Sequence, residues 1–387
     1  MRVLFFLLAL QIPLGLDRGL LAPPENPVTE EKAALGRLLF FDKRLSLDNS
    51  LACSDCHRPR RAFSDDKRVA VGVKNQHGNR NTPAIVNRAY GRFFFWDGRI
   101  PTLEEQVLQP IQNPKEMAAD LPVVVERLRA DSTYRELFQK VFGTPPNVRL
   151  LAYALATYVR TILSGASPYD RYEAGEKTAL NPLEQEGLRL FRGKASCAIC
   201  HSGSNFTDEE FHNTGIAWNG QRFLDPGRLA VTREKQDQGA FKTPTLREIA
   251  RTAPYMHDGS LQTLEEVIEF YDRGGNPNPY QDPDLRSLNL TAEEKGALLA
   301  FLRSLNGEVR EGGLLRDPGP RGGTQAVGRN EAEYGSGPRG HKRPITRWLK
   351  APDVYQVGVS AKTSAQRSPV RAVENWFEEL KRLVPTP

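Results

Sequence analysis

The spacing of apolar side chains along the chain predicts helices and gives no sign of a sheet. Apolar residues recur at intervals of three and four over 149–163 and 291–305, which is the spacing of one helical face. A third such face ends before a pair of glycines, a common helix stop, and consists of Leu264, Val267, Ile268 and Tyr271. No stretch alternates between apolar and polar residues as a half-buried strand would. We therefore predict an all-α fold.

Two parts of the chain repeat one pattern at a constant separation. Residues 81–87 match 242–248, and residues 96–105 match 257–266, each pair being 161 residues apart. In both copies the second block closes on Thr-x-x-Glu, a capping box in which threonine caps the first helical turn and glutamate reaches back to it. A repeat of this kind indicates two copies of one structural module.

All four cysteines lie in two Cys-x-x-Cys-His motifs. The motifs are Cys53, Cys56 and His57, and Cys197, Cys200 and His201. This spacing lets two thiols bond to one haem while the adjacent histidine ligates its iron. A zinc site would need no histidine directly after each second cysteine, and a redox dithiol would lie in a βαβ unit, which the sequence does not show. We predict two covalently attached c-type haems.

The two copies of the repeat differ where a haem iron could gain a further ligand. At the separation of 161 residues, Tyr271 corresponds to Pro110 and His257 corresponds to Trp96. The second copy has a phenol facing the core where the first has a residue that cannot ligate iron. We expect one haem to hold a sixth ligand and transfer electrons while the other stays open for chemistry.

The two ends of the chain differ in composition from its middle. Arg2 and the apolar run 3–16 are typical of a secretory signal, and the run is shorter than the ~20 residues that a spanning helix needs. We predict export to the periplasm or another extracytoplasmic space, with an uncleaved membrane anchor as the alternative. Residues 308–387 hold 14 Lys and Arg against 9 Asp and Glu, which is most of the net charge of +6. No basic stripe runs through the body, so nucleic-acid binding is not expected.

Residues 26–305 resemble the bacterial dihaem cytochrome c peroxidase family. The blocks that carry the resemblance are Leu39-Phe-Phe-Asp42, Arg80-Asn-Thr-Pro83, Phe95-Trp-Asp-Gly-Arg99, Leu103-Glu-Glu-Gln106, Phe211-His-Asn-Thr-Gly215 and Ala253-Pro-Tyr-Met-His-Asp-Gly259. The resemblance implies two cytochrome-c-like haem domains with a calcium ion between them. Together with the repeat and the composition of the two ends, it predicts four segments: a signal peptide or anchor (1–22), a peroxidatic haem domain (23–165), an electron-transfer haem domain (166–307) and a basic, largely flexible tail (308–387). The apolar spacing within the tail predicts a short amphipathic helix at 373–383.

The resemblance also implies roles for single residues. The haem of His57 would be the peroxide site, with Gln106 and Glu116 in its distal pocket. Trp96 would lie between the haems, and the haem of His201 would transfer electrons. The calcium ligands, largely backbone oxygens, would come from Asn81, Thr252 and Pro254.

Two positions depart from most peroxidases of this family and match its MauG branch. Many relatives have a Gly-His pair before Arg80 whose histidine is a displaceable sixth ligand of the peroxide haem, but here the pair is Gly72 and Val73. Where those enzymes place the methionine ligand of the second haem, this chain has Tyr271. The MauG branch matures a tryptophan-derived quinone cofactor in a partner protein and can store two oxidising equivalents across both haems. We therefore expect Tyr271 to ligate the second iron.

Several residues keep two interpretations. His77 is either a displaced distal ligand or a surface-loop histidine, and we prefer the latter. Met256 is either the ligand of the second haem or a packing residue, and we again prefer the latter. Glu116 could be a plain helix-start acid, although the resemblance favours a catalytic role. His212 and Trp218 are interpreted as structural residues.

Three functions are compatible with these features. A peroxidase would reduce hydrogen peroxide with electrons from a small c-type cytochrome or a cupredoxin. A MauG-like oxidase would take its electrons from a protein substrate and mature a cofactor there. A dihaem electron carrier would do no peroxide chemistry. A haem with an open coordination position would exclude this carrier function. We predict the peroxidase.

Overall fold

The computed structural model describes residues 12–311, and helices predominate there. The α-helices are α1 (Glu30–Phe40), α2 (Cys53–Cys56), α3 (Leu103–Gln106), α4 (Gln109–Gln112), α5 (Leu121–Ala130), α6 (Ser132–Phe142), α7 (Val148–Arg160), α8 (Pro168–Glu173), α9 (Pro182–Arg192), α10 (Leu229–Thr232), α11 (Leu264–Asp272) and α12 (Ala292–Arg303). Short 3-10 turns lie at Lys43–Leu45, Pro59–Arg61, Val73–Asn75, Arg88–Tyr90, Cys197–Ile199, Lys235–Asp237 and Ile249–Arg251.

Two short antiparallel strand pairs qualify the all-α prediction. Strand β1 (Leu163–Gly165) pairs with β4 (Glu308–Arg310), and β2 (Phe211–His212) pairs with β3 (Phe241–Lys242). Strands of two or three residues are too short to show an alternating pattern, so they could not be predicted from apolar spacing. The β4 strand lies at the start of the segment predicted as the tail, which begins at 308. The predicted helix at 373–383 lies outside the described residues.

The first hydrophobic core forms where α1 packs on α7. Thr29 and Asn147 begin these helices by accepting hydrogen bonds from backbone N–H groups of the first turn. The helices touch at Gly36, where a Cβ atom would lie only 1.9 Å from the carbonyl oxygen of Ala154. Fully buried residues of this core include Leu35, Leu39, Phe63, Leu151, Leu155 and Tyr158.

The second core repeats this arrangement with α9 and α12. Both helices begin with a capping box, Asn181 with Glu184 and Thr291 with Glu294. They also touch at a glycine, since a Cβ atom on Gly187 would lie 2.0 Å from the carbonyl oxygen of Ala297. Buried residues of this core include Leu190, Phe191, Phe206, Ile268, Phe301 and Leu305.

Positions 161 residues apart in the sequence repeat adopt the same local conformation. Phe95 and Met256 both have left-handed backbone angles, with φ of 66° and 71°. Asn87 and Glu248 do the same at 58° and 63°, each directly before one of two corresponding 3-10 turns. Isolated bridges also correspond, Phe94 with Ile100 and Tyr255 with Leu261. Left-handed angles are uncommon for residues with side chains, so these matches are specific.

The capping threonines act as predicted, but one glutamate has a different partner. The N–H of Glu105 donates to the hydroxyl of Thr102 at 3.3 Å, and the N–H of Glu266 donates to Thr263 at 3.1 Å. The carboxylate of Glu266 accepts from the N–H of Gln262 at 2.5 Å. The helical face predicted on α11 is therefore held in place from its first turn.

Residues 12–21, which fall in the predicted leader, pack on both halves of the fold. The carbonyl oxygen of Gly15 accepts from the guanidinium of Arg247 at 3.0 Å. The side chain of Asp17 accepts from Ser204 at 2.7 Å, while its carbonyl oxygen accepts from Tyr90 at 2.7 Å. Over residues 12–311 no helix has the length and apolar character needed to cross a membrane.

Candidate functional site

One large cavity contains both Cys-x-x-Cys-His motifs. Its volume is about 1020 Å³, at the upper end of the ~300–1,000 Å³ common for small-molecule pockets. All six motif residues line it: Cys53, Cys56, His57, Cys197, Cys200 and His201. Its other walls are largely apolar and include residues of both hydrophobic cores. A cavity of this size and lining, with thiols and imidazoles facing inward, fits bulky planar cofactors attached at two points.

The first motif presents its histidine in the form that iron requires. Cys53 and Cys56 begin and end α2, and His57 follows directly as its C-terminal cap. The Nδ1 atom of His57 lies 3.1 Å from the carbonyl oxygen of Phe63, so it carries the proton and Nε2 is left for the metal. Burial lowers the pKa of His57, which keeps the imidazole neutral.

The second motif reproduces this geometry. The Nδ1 atom of His201 lies 3.0 Å from the carbonyl oxygen of Phe206, and burial again lowers the pKa of the imidazole. Phe63 and Phe206 both have left-handed backbone angles, with φ of 58° and 52°. Each histidine is thus oriented by a carbonyl group five or six residues further along the chain.

The burial of the thiols argues against a redox dithiol. Burial raises the pKa of Cys53 to about 12 and that of Cys56 to about 11 in the chain without haem. Burial likewise raises the pKa of Cys197 to about 12. A redox dithiol needs a depressed pKa so that a thiolate forms. None of the four cysteines is in a disulfide.

His212 belongs to an ion cluster beside the second motif and is a poor metal ligand. Cys200, Asp208 and His212 approach closely enough to hold an ion. However, Nδ1 of His212 lies 2.6 Å from Asp282 and Nε2 lies 3.0 Å from Asp208, so both ring nitrogens are engaged. These hydrogen bonds raise the pKa of His212 to about 12 and make it a cation between two carboxylates. This supports the structural interpretation of His212.

The three residues that the resemblance places in catalysis all line the large cavity. Gln106 is the last residue of α3, Glu116 lies in the loop after α4, and Trp96 precedes the first Thr-x-x-Glu helix. Burial raises the pKa of Glu116, although a hydrogen bond from Asn113 and the charge of Arg99 oppose this. A carboxyl group of this kind can hold and release a proton.

Asn113, which the sequence did not single out, fixes the carboxyl group of Glu116. Its amide Nδ2 donates to Oε1 of Glu116 at 2.7 Å. Its Oδ1 accepts from the backbone N–H of Lys115 at 3.0 Å, which sets the orientation of the amide. The carbonyl oxygen of Asn113 also accepts from the N–H of Glu116 at 2.9 Å. Asn113 is a positioning residue that acts through Glu116.

The segment with Gly72 and Val73 packs on the backbone of Glu116. The N–H of Val73 donates to the carbonyl oxygen of Glu116 at 2.8 Å, and the Val73 side chain is buried. A Cβ atom on Gly72 would lie 2.4 Å from the same oxygen, so only glycine allows this approach. His77 is exposed and lies outside the lining of the cavity, which supports its interpretation as a surface histidine.

Trp96 and its counterpart His257 both contact Asn81. The indole Nε1 of Trp96 donates to the carbonyl oxygen of Asn81 at 2.9 Å. The N–H of Asn81 donates to the carbonyl oxygen of His257 at 2.7 Å. The His257 ring stacks on Phe241 with centroids 3.6 Å apart, and burial lowers its pKa to about 4. This contact between the two copies of the repeat lies in the wall of the cavity that contains both motifs.

The candidate calcium residues belong to the wall of the large cavity. Asn81, Thr252 and Pro254 all line it. The Nδ2 of Asn81 donates to the carbonyl oxygen of Lys67 at 3.0 Å, so its side-chain oxygen points elsewhere. The hydroxyl of Thr252 donates to Ile249 at 3.2 Å.

Both candidates for the sixth ligand of the second haem reach the cavity. Tyr271 lies on α11, and burial raises the pKa of its phenol, with the nearby Cys197 and Cys200 adding to the effect. Met256 lines the same cavity and packs against the second core. Trp218 lies outside the cavity lining and packs on Phe223, with ring centroids 4.8 Å apart.

The chain is similar to several characterised haem proteins. Residues 30–178 match the family described as Di-haem cytochrome c peroxidase. Methylamine utilization protein MauG of Methylorubrum extorquens is 41% identical over 288 residues, which cover 74% of this chain and 81% of that protein. Cytochrome c551 peroxidase of Nitrosomonas europaea is 34% identical over 288 residues, with coverage of 73% and 82%.

A solved structure shows the same fold. It is a MauG-like protein associated with microbial copper homeostasis, with 36% sequence identity, a TM-score of 0.71, and coverage of 77% of this chain and 95% of that one. The chain therefore belongs to the bacterial dihaem cytochrome c peroxidase family, in its MauG-like branch, and is a haem-dependent oxidoreductase of the peroxidase type.

Proposed function

We propose that the protein reduces hydrogen peroxide at the haem held by His57, with electrons delivered through the haem held by His201. The observation that supports this most is that one cavity contains both motifs together with Glu116, Gln106 and Trp96. A pure electron carrier would need no buried carboxyl group in that cavity. The haem, when bound, supplies the redox chemistry that cleaves the O–O bond of peroxide.

In this proposal the side chains around the first haem move one proton and hold the substrate. Glu116, starting as the carboxylate, would take the proton from one peroxide oxygen and give it to the other, since burial raises its pKa and so makes the carboxylate a better proton acceptor. Gln106 holds the peroxide by hydrogen bonding through its amide. Val73 and Pro110 offer no ligating atom, so neither would compete with peroxide for an iron held by His57.

We further propose that residues 23–165 and 166–307 are two haem domains related by the internal repeat. The corresponding left-handed residues Phe95 and Met256 support this, as do the matched helix contacts at Gly36 and Gly187. Tyr271 would be the sixth ligand of the second iron, and a hard anionic oxygen there would favour high oxidation states. Trp96, at the contact between the two copies, would carry electrons between the haems.

Calcium between the domains is a separate proposal. The side-chain oxygen of Asn81 and the carbonyl oxygens of Thr252 and Pro254 would bind it. Calcium prefers six to eight oxygen ligands, so water would have to supply the remainder. The ion would fix the orientation of the segments that carry Trp96 and His257, because both contact Asn81.

A second candidate function is maturation of a protein-derived cofactor in a partner protein. The similarity to MauG and the presence of Val73 and Tyr271 at the two departing positions favour it. In that case the electrons would come from side chains of the partner. In either case we propose an extracytoplasmic location, as the apolar run at 3–16 predicts.

Steady turnover with a soluble donor tests the proposed function. The holoenzyme is mixed with hydrogen peroxide and a reduced small c-type cytochrome, and cytochrome oxidation is followed optically. We expect sustained turnover that Trp96→Phe slows, because electrons must pass between the haems. Trp218→Phe is the matched control, since Trp218 does not line the cavity. Consumption of peroxide without turnover of this cytochrome or a cupredoxin would instead favour cofactor maturation.

A further inference from the structure

A second, polar opening reaches Glu116 from the surface of the protein. It encloses about 460 Å³, and its lining includes Phe95, Arg99, Gln109, Gln112, Asn113 and Glu116. Four of these residues also line the large cavity, whereas Gln109 and Gln112 are exposed on α4 and do not. The opening therefore meets the large cavity at Glu116 and has a rim of two exposed amides.

One wall of this opening is a stacked pair of side chains. The guanidinium of Arg99 lies 3.6 Å from the centre of the Phe95 ring and is held by Asp97 at 2.9 Å. Phe95 has a left-handed backbone, as has Met256 at the corresponding position of the other half. In the other copy of the repeat, the position of Arg99 is occupied by Ser260. The stacked wall belongs to the half that contains Glu116.

We propose that this opening is the route by which hydrogen peroxide reaches Glu116, and that the wall of Arg99 and Phe95 limits it to small peroxides. The inference rests on the proposed function. Bound haem would take up the large cavity, so peroxide would need a separate path to the carboxyl group. The amides of Gln109, Gln112 and Asn113 suit a small neutral solute that donates and accepts hydrogen bonds.

Narrowing the rim tests the route. Gln112→Trp and Gln109→Trp place a bulky side chain at two different points of the rim. Gln139→Trp is the matched control, because Gln139 is exposed on α6 and lines neither opening. The rates of cyanide binding and release are measured on the oxidised holoenzyme by rapid mixing, followed by the rate of reaction with hydrogen peroxide.

We expect each rim variant to slow cyanide binding at least tenfold while the control stays within twofold of the natural protein. Because a barrier on a path affects both directions equally, cyanide release should slow by the same factor and the Kd should not change. The optical spectrum of the cyanide complex should also stay the same. Reaction with hydrogen peroxide should slow in parallel.

Widening the opening at its wall gives an independent test of the proposal. Arg99→Ala removes the stacked guanidinium, and we expect the rate with cumene hydroperoxide to rise at least fivefold relative to the rate with hydrogen peroxide. The ratio is used because Arg99 also affects the pKa of Glu116, an effect common to both peroxides.

Three results would overturn the proposal. If both rim variants bind cyanide and react with peroxide at the rates of the natural protein, these molecules reach the site by another path. A changed cyanide Kd would show that the substitutions distort the site itself. If the natural oxidised protein binds no cyanide and ignores peroxide, the proposed function is wrong as well, which the first two results would not imply.

Discussion

Replacing Glu116 by glutamine should stop proton transfer while leaving the pocket intact. The amide of glutamine has the shape of the carboxyl group and can still accept the hydrogen bond from Asn113. This hydrogen bond is 2.7 Å long in the natural protein. Loss of a general acid–base residue costs about 10²–10⁴-fold in rate. At about 1.36 kcal/mol per factor of ten, this corresponds to ~2.7–5.4 kcal/mol of activation free energy. We expect a slowing of O–O bond cleavage in this range and near-native binding of peroxide.

Asn113→Ala should slow O–O bond cleavage less than Glu116→Gln does. It keeps the carboxyl group of Glu116 and removes only the hydrogen bond that holds this group in place. A hydrogen bond to a charged group contributes ~1.5–3 kcal/mol, which is about 10–150-fold in rate if it is lost in full. Since Asn113 acts through Glu116, the double variant should be no slower than Glu116→Gln alone. This non-additivity is the signature of two residues that act as one unit.

Single-turnover mixing of oxidised enzyme with excess peroxide measures these rates. Glu105→Gln is the control, because Glu105 is exposed on α3 and does not line the cavity. If Glu116→Gln cleaves peroxide at the native rate, the carboxyl group is not the proton carrier. If the effects of the two single variants multiply in the double variant, Asn113 has a role of its own.

Three further predictions concern the second haem, calcium and stability. Tyr271→Phe should change the optical and EPR spectra of the second haem while cyanide binding at the first haem stays native. Exhaustive chelation should slow electron transfer between the haems with both still attached; no change in spectrum or turnover would argue against calcium. Arg247→Met should lower the free energy of unfolding of the holoprotein by ~3–5 kcal/mol in denaturant titrations, because it leaves Asp170 buried without its cation. Arg189→Met, at an exposed ion pair, should leave stability unchanged. Equal stabilities of these two variants would show that the buried pair is dispensable.

The sequence predicted the features that covalent chemistry and periodicity impose. Haem attachment fixes the spacing of Cys53, Cys56 and His57, so the motif can be read directly. Helices α7 and α12 lie within three residues of the ranges predicted from apolar spacing, because each has one face buried in a core. The offset of 161 residues also placed Phe95 and Met256 in equivalent positions, where the structure gives them the same unusual backbone angle.

The features that the sequence did not predict depend on contacts between distant or irregular segments. The fixed orientation of Glu116 comes from a turn around Asn113, which has no periodic signal. The packing of residues 12–21, which fall in the predicted leader, could not be predicted either, because apolar composition alone does not show what a segment contacts. Their polar contacts, such as that of Gly15 with Arg247, only become visible once the chain is folded.

The ligation of the two irons in the resting oxidised holoenzyme is the most direct test of the account. EPR and Mössbauer spectra should show one five-coordinate high-spin haem, on His57, and one six-coordinate haem with Tyr271 as a ligand. Because Val73 replaces the displaceable histidine, the fully oxidised protein should react with hydrogen peroxide without prior reduction. Two low-spin six-coordinate haems, with no reaction until one electron is added, would contradict this and would make the protein a reductively activated peroxidase.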